Sequence, residues 1–269
     1  MRRGLSLPGI KEFRDFFIGD PLLAIDVRGH QIGLFTKSDD NESVLSIDNS
    51  QKFVGSLYSG EEENWGAEND LSRLFIRPRQ AQLAMNGSGD GVAVWSDVYP
   101  GTGDLDRFED HNVHINIFNA GTKSWEGVKQ VNDQGGGRLF WDFNTQPLVT
   151  IDYRGTITVV WWNRSRGFHE EGGSSTLLND TLLMNQYMDD PENPGQKKWT
   201  GESVAHEFTE HTGFREEKVR LWGLVSDLAT GGFILNATIL LPGLLARSQL
   251  LALGVDKASN HSAISPKKP

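Results

Sequence analysis

The sequence of 269 residues contains no cysteine. Its absence excludes disulfide bonds, thiol catalysis and metal centres ligated by cysteine, and it is compatible with either redox environment. Positive charge is also scarce, because 26 Lys and Arg residues oppose 36 Asp and Glu residues and leave a net charge of −10. No stretch of the chain forms a basic stripe. The composition therefore argues against nucleic acid as a partner.

Signatures of targeting and of several enzyme classes are missing as well. The segment up to Phe17 contains Lys11, Glu12 and Asp15, so it has no hydrophobic core of a signal peptide. The glycines at 135–137 lack a following Lys-Ser/Thr pair, and no Gly-x-Ser-x-Gly elbow occurs. We expect a chain without a leader, either cytoplasmic or peripheral to a larger complex.

A two-part pattern recurs along the chain. An apolar run ends in Asp or Asn, a Gly follows three residues later, and a Trp comes further on. The three copies are Asp26 with Gly29 and Trp65, Asn86 with Gly89 and Trp125, and Asp152 with Gly155 and Trp199. From Asp or Asn to Trp the spacing is 39 residues in the first two copies and 47 in the third. Because the turn and the Trp recur together in the same order, they indicate one repeated structural unit with insertions in its loops.

Each copy predicts a β-hairpin followed by two more strands. The Asp or Asn side chain can bond the backbone two residues on, and the Gly accepts a positive φ. We predict an all-β chain, a β-propeller or propeller-like array of about four four-stranded antiparallel units starting near residues 14, 73, 138 and 220. A β-sandwich is the alternative. Residues 1–255 are expected to form one domain, and residues 256–269 a flexible tail.

The second copy reads Asn-Gly-Ser-Gly-Asp-Gly-Val-Ala-Val-Trp from Asn86 to Trp95, followed by an alternating strand, a turn and Trp125. This segment resembles the blade repeats of sialidase-like and bacterial surface β-propellers, and the resemblance covers residues 70–205. It implies a fold and no activity, because such propellers include lectins, hydrolases and scaffolds. The sialidase pattern Ser-x-Asp-x-Gly-x-Thr-Trp is not met, since the Gly after Ser88 and Asp90 stands at 91 instead of 92. No catalytic sialidase residue is carried over.

The C-terminal part is strongly apolar. Residues 228–246 are uncharged and approach the ~20 residues of a spanning helix. Asn236 and the Pro242-Gly243 pair interrupt them, so a buried strand is expected and membrane spanning is not, although peripheral association stays open. The segment from Leu244 to Val255 is predicted to be a short amphipathic helix or arm. Because an incomplete fourth unit cannot bury this much apolar surface, the segment is expected to contact a protein partner or to complete the ring.

Several aromatic and basic residues are candidates either for the hydrophobic core or for contact with a ligand. Five Trp residues hold equivalent positions and are expected to be wedges between units: Trp65, Trp95, Trp125, Trp161 and Trp199. Trp162 points to the opposite face of its strand, which makes it a candidate binding residue. Arg164, Arg166 and His169 follow in a predicted loop where they could bind an anion, the alternative being an ordinary solvated loop.

Acidic residues crowd one connection of the second unit: Asp97, Asp104, Asp106, Glu109 and Asp110. Oxygen ligands on a loop suit Ca²⁺. Their spacing matches no known calcium loop, so a hydrated acidic loop is the alternative, and no other cofactor is predicted. His206 and His211 lie five residues apart instead of four, which is wrong for a helical zinc site.

Two hypotheses about function follow. The first is a non-catalytic scaffold, a rigid propeller that docks onto a larger protein assembly through its insertion loops and residues 244–255. The second is a carbohydrate-binding or glycoside-hydrolysing propeller. A glycosidase pair of carboxylates would come from different units and leave no local motif.

Overall fold

The computed structural model describes most of the four predicted units. The described ranges are 22–38, 51–72, 77–99, 110–132, 140–168, 175–207, 218–226, 233–240 and 247–253. Within these ranges every element is a β-strand, and all pairings but one bridge are antiparallel. The prediction of an all-β, propeller-like array of antiparallel units is confirmed.

The strands group into units that follow one another along the chain. Unit one contains β1 (Leu22–Ile25), β2 (Gln31–Ser38), β3 (Gln51–Ser59), β4 (Asn64–Trp65) and β5 (Asn69–Asp70). Unit two contains β6 (Arg77–Met85), β7 (Gly91–Tyr99), β8 (Asp110–Asn119), β9 (Ser124–Trp125) and β10 (Lys129–Gln130). Unit three contains β11 (Phe140–Ile151), β12 (Ile157–Phe168), β13 (Ser175–Asp189), β14 (Lys197–Trp199) and β15 (Ser203–Glu207). Unit four contains β16 (Lys218–Ser226), β17 (Phe233–Leu240) and β18 (Arg247–Leu253).

Each of the first three units is an antiparallel meander whose fourth strand is split in two. In unit one, β4 and β5 both pair with β3, and β9 and β10 pair with β8 in the same way. In unit three, β14 and β15 both pair with β13. The first strands of successive units lie side by side in the order β1, β6, β11, β16. This order, with the sheets stacked face to face, is the arrangement expected of a propeller-like array.

The repeated turns between first and second strands have one geometry. In unit one, Asp26 Oδ1 accepts hydrogen bonds from the backbone N–H groups of Arg28 (2.8 Å) and His30 (2.9 Å). Asn86 and Asp152 accept the same pair of bonds from residues two and four positions further on. The glycine of each turn has a positive φ: +83° at Gly29, +93° at Gly89 and +73° at Gly155. The sequence prediction of one repeated turn is confirmed.

The core lies between the sheets. We call the face of a sheet that carries its repeated Trp residues the Trp face. The Trp face of unit two presents Ala93 and Trp95 to the opposite face of unit one, where Leu34, Phe53 and Leu71 are buried. The Trp face of unit three meets the opposite face of unit two in a second buried cluster of Val92, Val94, Val113, Ile115, Ile117, Val131, Val149, Ile151, Ile157, Val159 and Trp161. Each unit is therefore stabilised chiefly by its neighbours along the chain.

The predicted Trp wedges fall into two groups. Trp95 and Trp161, on the second strands, are 1% and 0% exposed. Trp65, Trp125 and Trp199 are half-buried in β4, β9 and β14, where each packs on an aromatic ring of the third strand with centroids 5.3–5.4 Å apart. The wedge prediction is confirmed for the first group, whereas the second group lies nearer the rim of each interface.

Buried asparagines link neighbouring units. Asn185 Nδ2 in unit three donates to the carbonyl oxygen of Val131 in unit two at 3.0 Å. At the equivalent position of unit two, Asn116 Nδ2 donates to the carbonyl of Leu71 in unit one at 3.4 Å. Both side chains are nearly inaccessible to solvent, so each bond satisfies groups that would otherwise be buried without a partner. These bonds fix the position of one sheet relative to the next.

The C-terminal segment corrects one prediction. The structure places most of the segment from Leu244 to Val255 in β18, which pairs with β17 from Phe233↔Leu253 to Ile239↔Arg247, so the predicted amphipathic helix is wrong. The backbone of β17 pairs with this segment and holds it as a strand, and such a pairing cannot be read from the periodicity of the segment itself. No helix in the described ranges is long and apolar enough to cross a membrane. The predicted tail, 256–269, lies outside the described residues.

Candidate functional site

The array has two unlike ends. The first-to-second and third-to-fourth strand connections lie at one end, which we call the turn end. The second-to-third connections lie at the other, the loop end, and span residues 39–50, 100–109 and 169–174 outside the described part of the chain. By strand direction, the described members of both sets of predicted site residues, Asp97, Asp110, Arg164 and Arg166, lie toward the loop end.

The basic candidates occupy a strand. Arg164 and Arg166 lie within β12, where they pair with Asp180 and Leu177 of β13, so the prediction that they lie in a loop is wrong. β12 continues to Phe168 because β11 pairs with it as far as Gly167 and β13 as far as Phe168. His169 lies outside the described residues.

Trp162 lies in the core. It is 8% exposed, and it stands on the face of β12 opposite to Trp161. The alternation that we expected is present, but both faces of this sheet are covered. The structure therefore does not support Trp162 as a surface contact for a ligand.

The acidic candidates flank an undescribed loop. Asp97 is near the end of β7, opposite Asn112, and Asp110 is the first residue of β8, opposite Tyr99. Asp104, Asp106 and Glu109 lie outside the described residues, so calcium binding there stays a prediction. Within the described residues, no group of three His, Asp or Glu side chains is placed to hold a metal ion.

A backbone bridge between β8 and β11 joins the sheets of units two and three, which carry the acidic and the basic candidates. His111 of β8 pairs in parallel with Phe143 of β11, which in turn pairs with Arg164 of β12. Strands β7, β8, β11, β12 and β13 thus form one continuous sheet at the loop end. The acidic positions 97 and 110 and the basic positions 164 and 166 consequently share that end.

The turn end carries a group that the sequence analysis missed. Tyr153 is 58% exposed, and Arg154 Nε donates to its hydroxyl at 2.7 Å while the guanidinium carbon lies 5.2 Å from the ring centroid. Lys197 Nζ donates to the carbonyls of Arg154 (2.9 Å) and Gly155 (2.5 Å). The equivalent positions to Tyr153 are Val27 and Gly87, so the repeat predicts the turn and leaves this side chain unspecified.

The turns of adjacent units touch each other. Asn86 Nδ2 of unit two donates to the carbonyl of Asp152 in unit three at 3.3 Å. In unit one, Asp26 Oδ2 lies 2.9 Å from His30 Nδ1, and the carboxylate is fully buried. Polar groups therefore hold the turn end together.

Two carboxylates of the array have perturbed acidity. Burial raises the pKa of Asp26, but hydrogen bonds from the His30 side chain and from the backbone N–H groups of Arg28 and His30 outweigh it, and the pKa lies below its usual 3.8. In the loop after β13, hydrogen bonds from Asn193 Nδ2, then from Lys198 Nζ and the Glu192 N–H, lower the pKa of Asp190 to about 2. Both groups favour the ionised form in the folded protein.

We expect acid to destabilise the protein through these two carboxylates. Each has a folded pKa below its usual value of 3.8, so its stabilisation is complete above about pH 5 and is lost as the pH falls through the folded pKa. Urea titrations at successive pH values should give a shallower decline in unfolding free energy between about pH 5 and pH 2 for Asp190→Asn and Asp26→Asn than for the wild type. Equal slopes in all three proteins would contradict the assignment.

Comparison with known proteins yields structural likenesses only. No family profile matches the sequence, and the comparison with curated proteins finds no relative. Similar solved structures include a Hadza microbial sialidase, with a TM-score of 0.39, 11% identity, and coverage of 88% of this chain and 58% of that one. An endo-arabinase from Bacteroides thetaiotaomicron gives a TM-score of 0.44 and 9% identity over 93% of this chain and 81% of that one. An α-L-arabinofuranosidase from Fusarium graminearum gives 0.45 and 10% over 94% and 69%.

The likeness concerns the fold. The chain spans 58% of the length of the sialidase, and identities near 10% do not transmit an activity. The activities named for these structures belong to those proteins.

Proposed function

We propose that the protein is a carbohydrate-binding, propeller-like module that contacts its ligand through Tyr153 at the turn end. The observation that carries this proposal is the exposed Tyr153 ring with Arg154 beside it. A sugar presents an apolar C–H face and a rim of hydroxyls. An aromatic ring packs against the C–H face, while guanidinium and phenol groups form hydrogen bonds with the hydroxyls.

The site is held in place before a ligand arrives. Asp152 Oδ1 accepts the N–H groups of Arg154 and Thr156 at 2.8 Å each, which fixes the turn that carries the ring. Lys197 holds two carbonyls of the same turn from the neighbouring strand β14. A contact residue on a rigid turn loses little conformational entropy when it binds, which favours affinity.

A glycan array followed by calorimetric titration of the best ligand tests this proposal. Tyr153→Ala should raise the dissociation constant about tenfold or more, because the stacking surface is removed. Val27→Ala, at the equivalent position of unit one, is the matched control and should bind like the wild type. Absence of glycan binding by the wild type, or equal affinity of Tyr153→Ala, would overturn the proposal. A parallel hydrolysis assay distinguishes a lectin from a glycosidase.

The second candidate function is a scaffold that docks onto a larger protein assembly. The observation in its favour is that β18 forms the edge of unit four, and no described strand pairs with its outer side. An exposed edge can take a strand from another protein. The insertion loops and residues 244–255 would then meet the partner. Purification from the native source under mild conditions should yield a complex of defined stoichiometry, whereas elution of the chain alone would contradict this candidate.

A further inference from the structure

Unit three carries two positive charges on the turn that holds Tyr153. Arg154 is the next residue of the turn, and its Nε donates to the Tyr153 hydroxyl at 2.7 Å. Lys197 Nζ donates to the carbonyl oxygens of Arg154 and Gly155, so its ammonium lies against the backbone of the same turn. Carbonyl oxygens satisfy the donors of an ammonium but leave its net charge in place. The turn therefore bears both a guanidinium and an ammonium.

Neither charge is neutralised within the part of the chain that the structure describes. Lys52, Lys129 and Lys198 each form an ion pair with a carboxylate, at 2.8 to 3.1 Å. Among the described residues, Arg154 and Lys197 have no such partner. The contrast occurs in a chain with a net charge of −10, in which acidic side chains are plentiful. Two like charges without a counter-charge repel each other, and an anion bound beside them removes that cost.

The outer edge of the Arg154 guanidinium is suited to a carboxylate. Its Nε–H is used by Tyr153, while Nη1 and Nη2 form no hydrogen bond with any residue that the structure describes. These two nitrogens present parallel N–H groups that match the two oxygens of a carboxylate. The bond from Nε to the phenol oxygen holds this fork beside the ring. A carboxylate on a sugar that packs against Tyr153 would meet a fork that is already oriented.

The equivalent turns of units one and two lack this combination. Unit one has Arg28 in the position of Arg154, but Val27 stands in place of the aromatic ring. The position of Lys197, two residues before the repeated Trp, is occupied in unit one by Glu63. Unit two has glycine in place of the tyrosine and serine in place of the arginine. Of these three turns, only that of unit three combines an aromatic ring with two cations.

We propose that the ligand of this turn is an acidic saccharide, whose carboxylate binds Arg154 while a sugar face packs on Tyr153. The inference rests on the carbohydrate-binding function proposed above and names the class of sugar. A uronic acid presents both groups at once, because its carboxylate projects from the ring that offers the C–H face. A neutral sugar would leave both cations without a counter-charge. Hydrogen bonds to ionised groups are about twice as strong as those between neutral groups, so the carboxylate should dominate selectivity.

A glycan array built from matched pairs tests the inference. Each pair holds an oligomer of glucuronate, galacturonate or mannuronate and the same oligomer after reduction of every carboxylate to a primary alcohol. The wild type should bind the acidic member of at least one pair about tenfold more tightly than its reduced form. Arg154→Gln should bind both members of that pair equally. Arg154→Lys should keep part of the preference, because lysine retains the charge but not the fork.

Arg28→Gln is the matched control for these variants. Arg28 is exposed like Arg154 and holds the equivalent position in unit one, without the aromatic ring. This variant should keep the full preference of the wild type for the acidic member. All three variants should melt at the temperature of the wild type, because both arginine side chains are exposed.

The outcomes separate this inference from the function on which it rests. Equal binding of acidic and reduced members by the wild type, or an unchanged preference in Arg154→Gln, would overturn the acidic ligand and leave glycan binding at Tyr153 intact. Binding of no glycan of either kind would overturn both proposals.

Discussion

Replacement of Trp161 by alanine is expected to lower the free energy of unfolding by about 3–5 kcal/mol. The side chain is fully buried, and it lies in the cluster that joins units two and three. Its removal would leave a cavity between two sheets whose strands are fixed by their own hydrogen bonds, so the site cannot collapse. Urea denaturation followed by circular dichroism measures the change.

Two further variants serve as comparisons for the destabilisation by Trp161→Ala. Trp161→Phe keeps an aromatic ring in the cluster and should cost less than Trp161→Ala. Trp125→Ala removes a half-buried ring near the rim and should also cost less. An effect of Trp161→Ala within about 1 kcal/mol of the wild type, the usual mean for an unselected substitution, would show that the two sheets do not stack here.

Replacement of Asn144 by leucine is expected to cost about 2–5 kcal/mol, since it leaves two buried donors without their acceptor. Asn144 Oδ1 accepts hydrogen bonds from Trp161 Nε1 at 3.0 Å and from Asn163 Nδ2 at 2.8 Å. All three side chains are buried. Leucine has a similar volume, so the loss arises chiefly from unsatisfied polar groups rather than from packing.

A double-mutant cycle separates these contributions. Trp161→Phe removes one of the two donors, so Asn144→Leu should cost less in that background than in the wild type. The expected coupling is about 1–2 kcal/mol. Strict additivity of the two changes would mean that the indole and the amide do not interact in solution.

The parts of the fold that depend on local sequence were predictable. Asp26, Asn86 and Asp152 each shape their own turn through bonds to residues two and four positions away. Such contacts join residues that are close in the sequence, so the sequence alone reveals them, and their repetition along the chain predicted the units. The burial of Trp95 and Trp161 followed from the same repetition.

The parts that depend on neighbouring units were not predictable from local patterns. Alternation correctly placed Trp162 on the face opposite to Trp161, but only the stacked array shows that this face is also buried. Asn116 and Asn185 stand among apolar residues of third strands, and that was the available signal for a buried polar link. Their partners are carbonyls 45 and 54 residues away.

Strand length was the other source of error. Arg164 and Arg166 follow a Trp pair in a polar stretch that lacks β-propensity, yet β11 and β13 extend far enough to hold them in β12. The segment from Leu244 to Val255 reads as a helix by composition, while the free edge of β17 pairs with it as β18. Tertiary pairing overrides propensity in both cases.

The direction of stacking has a consequence for synthesis on the ribosome. In units two and three the Trp face is covered by the unit that precedes it in the chain, and that unit leaves the exit tunnel first. Each of these apolar faces therefore emerges after the sheet that will cover it has had time to form. The time for which the face is exposed to other nascent chains is short. The reverse arrangement, with each face covered by the following unit, would leave it exposed until the next meander of about 60 residues had been translated.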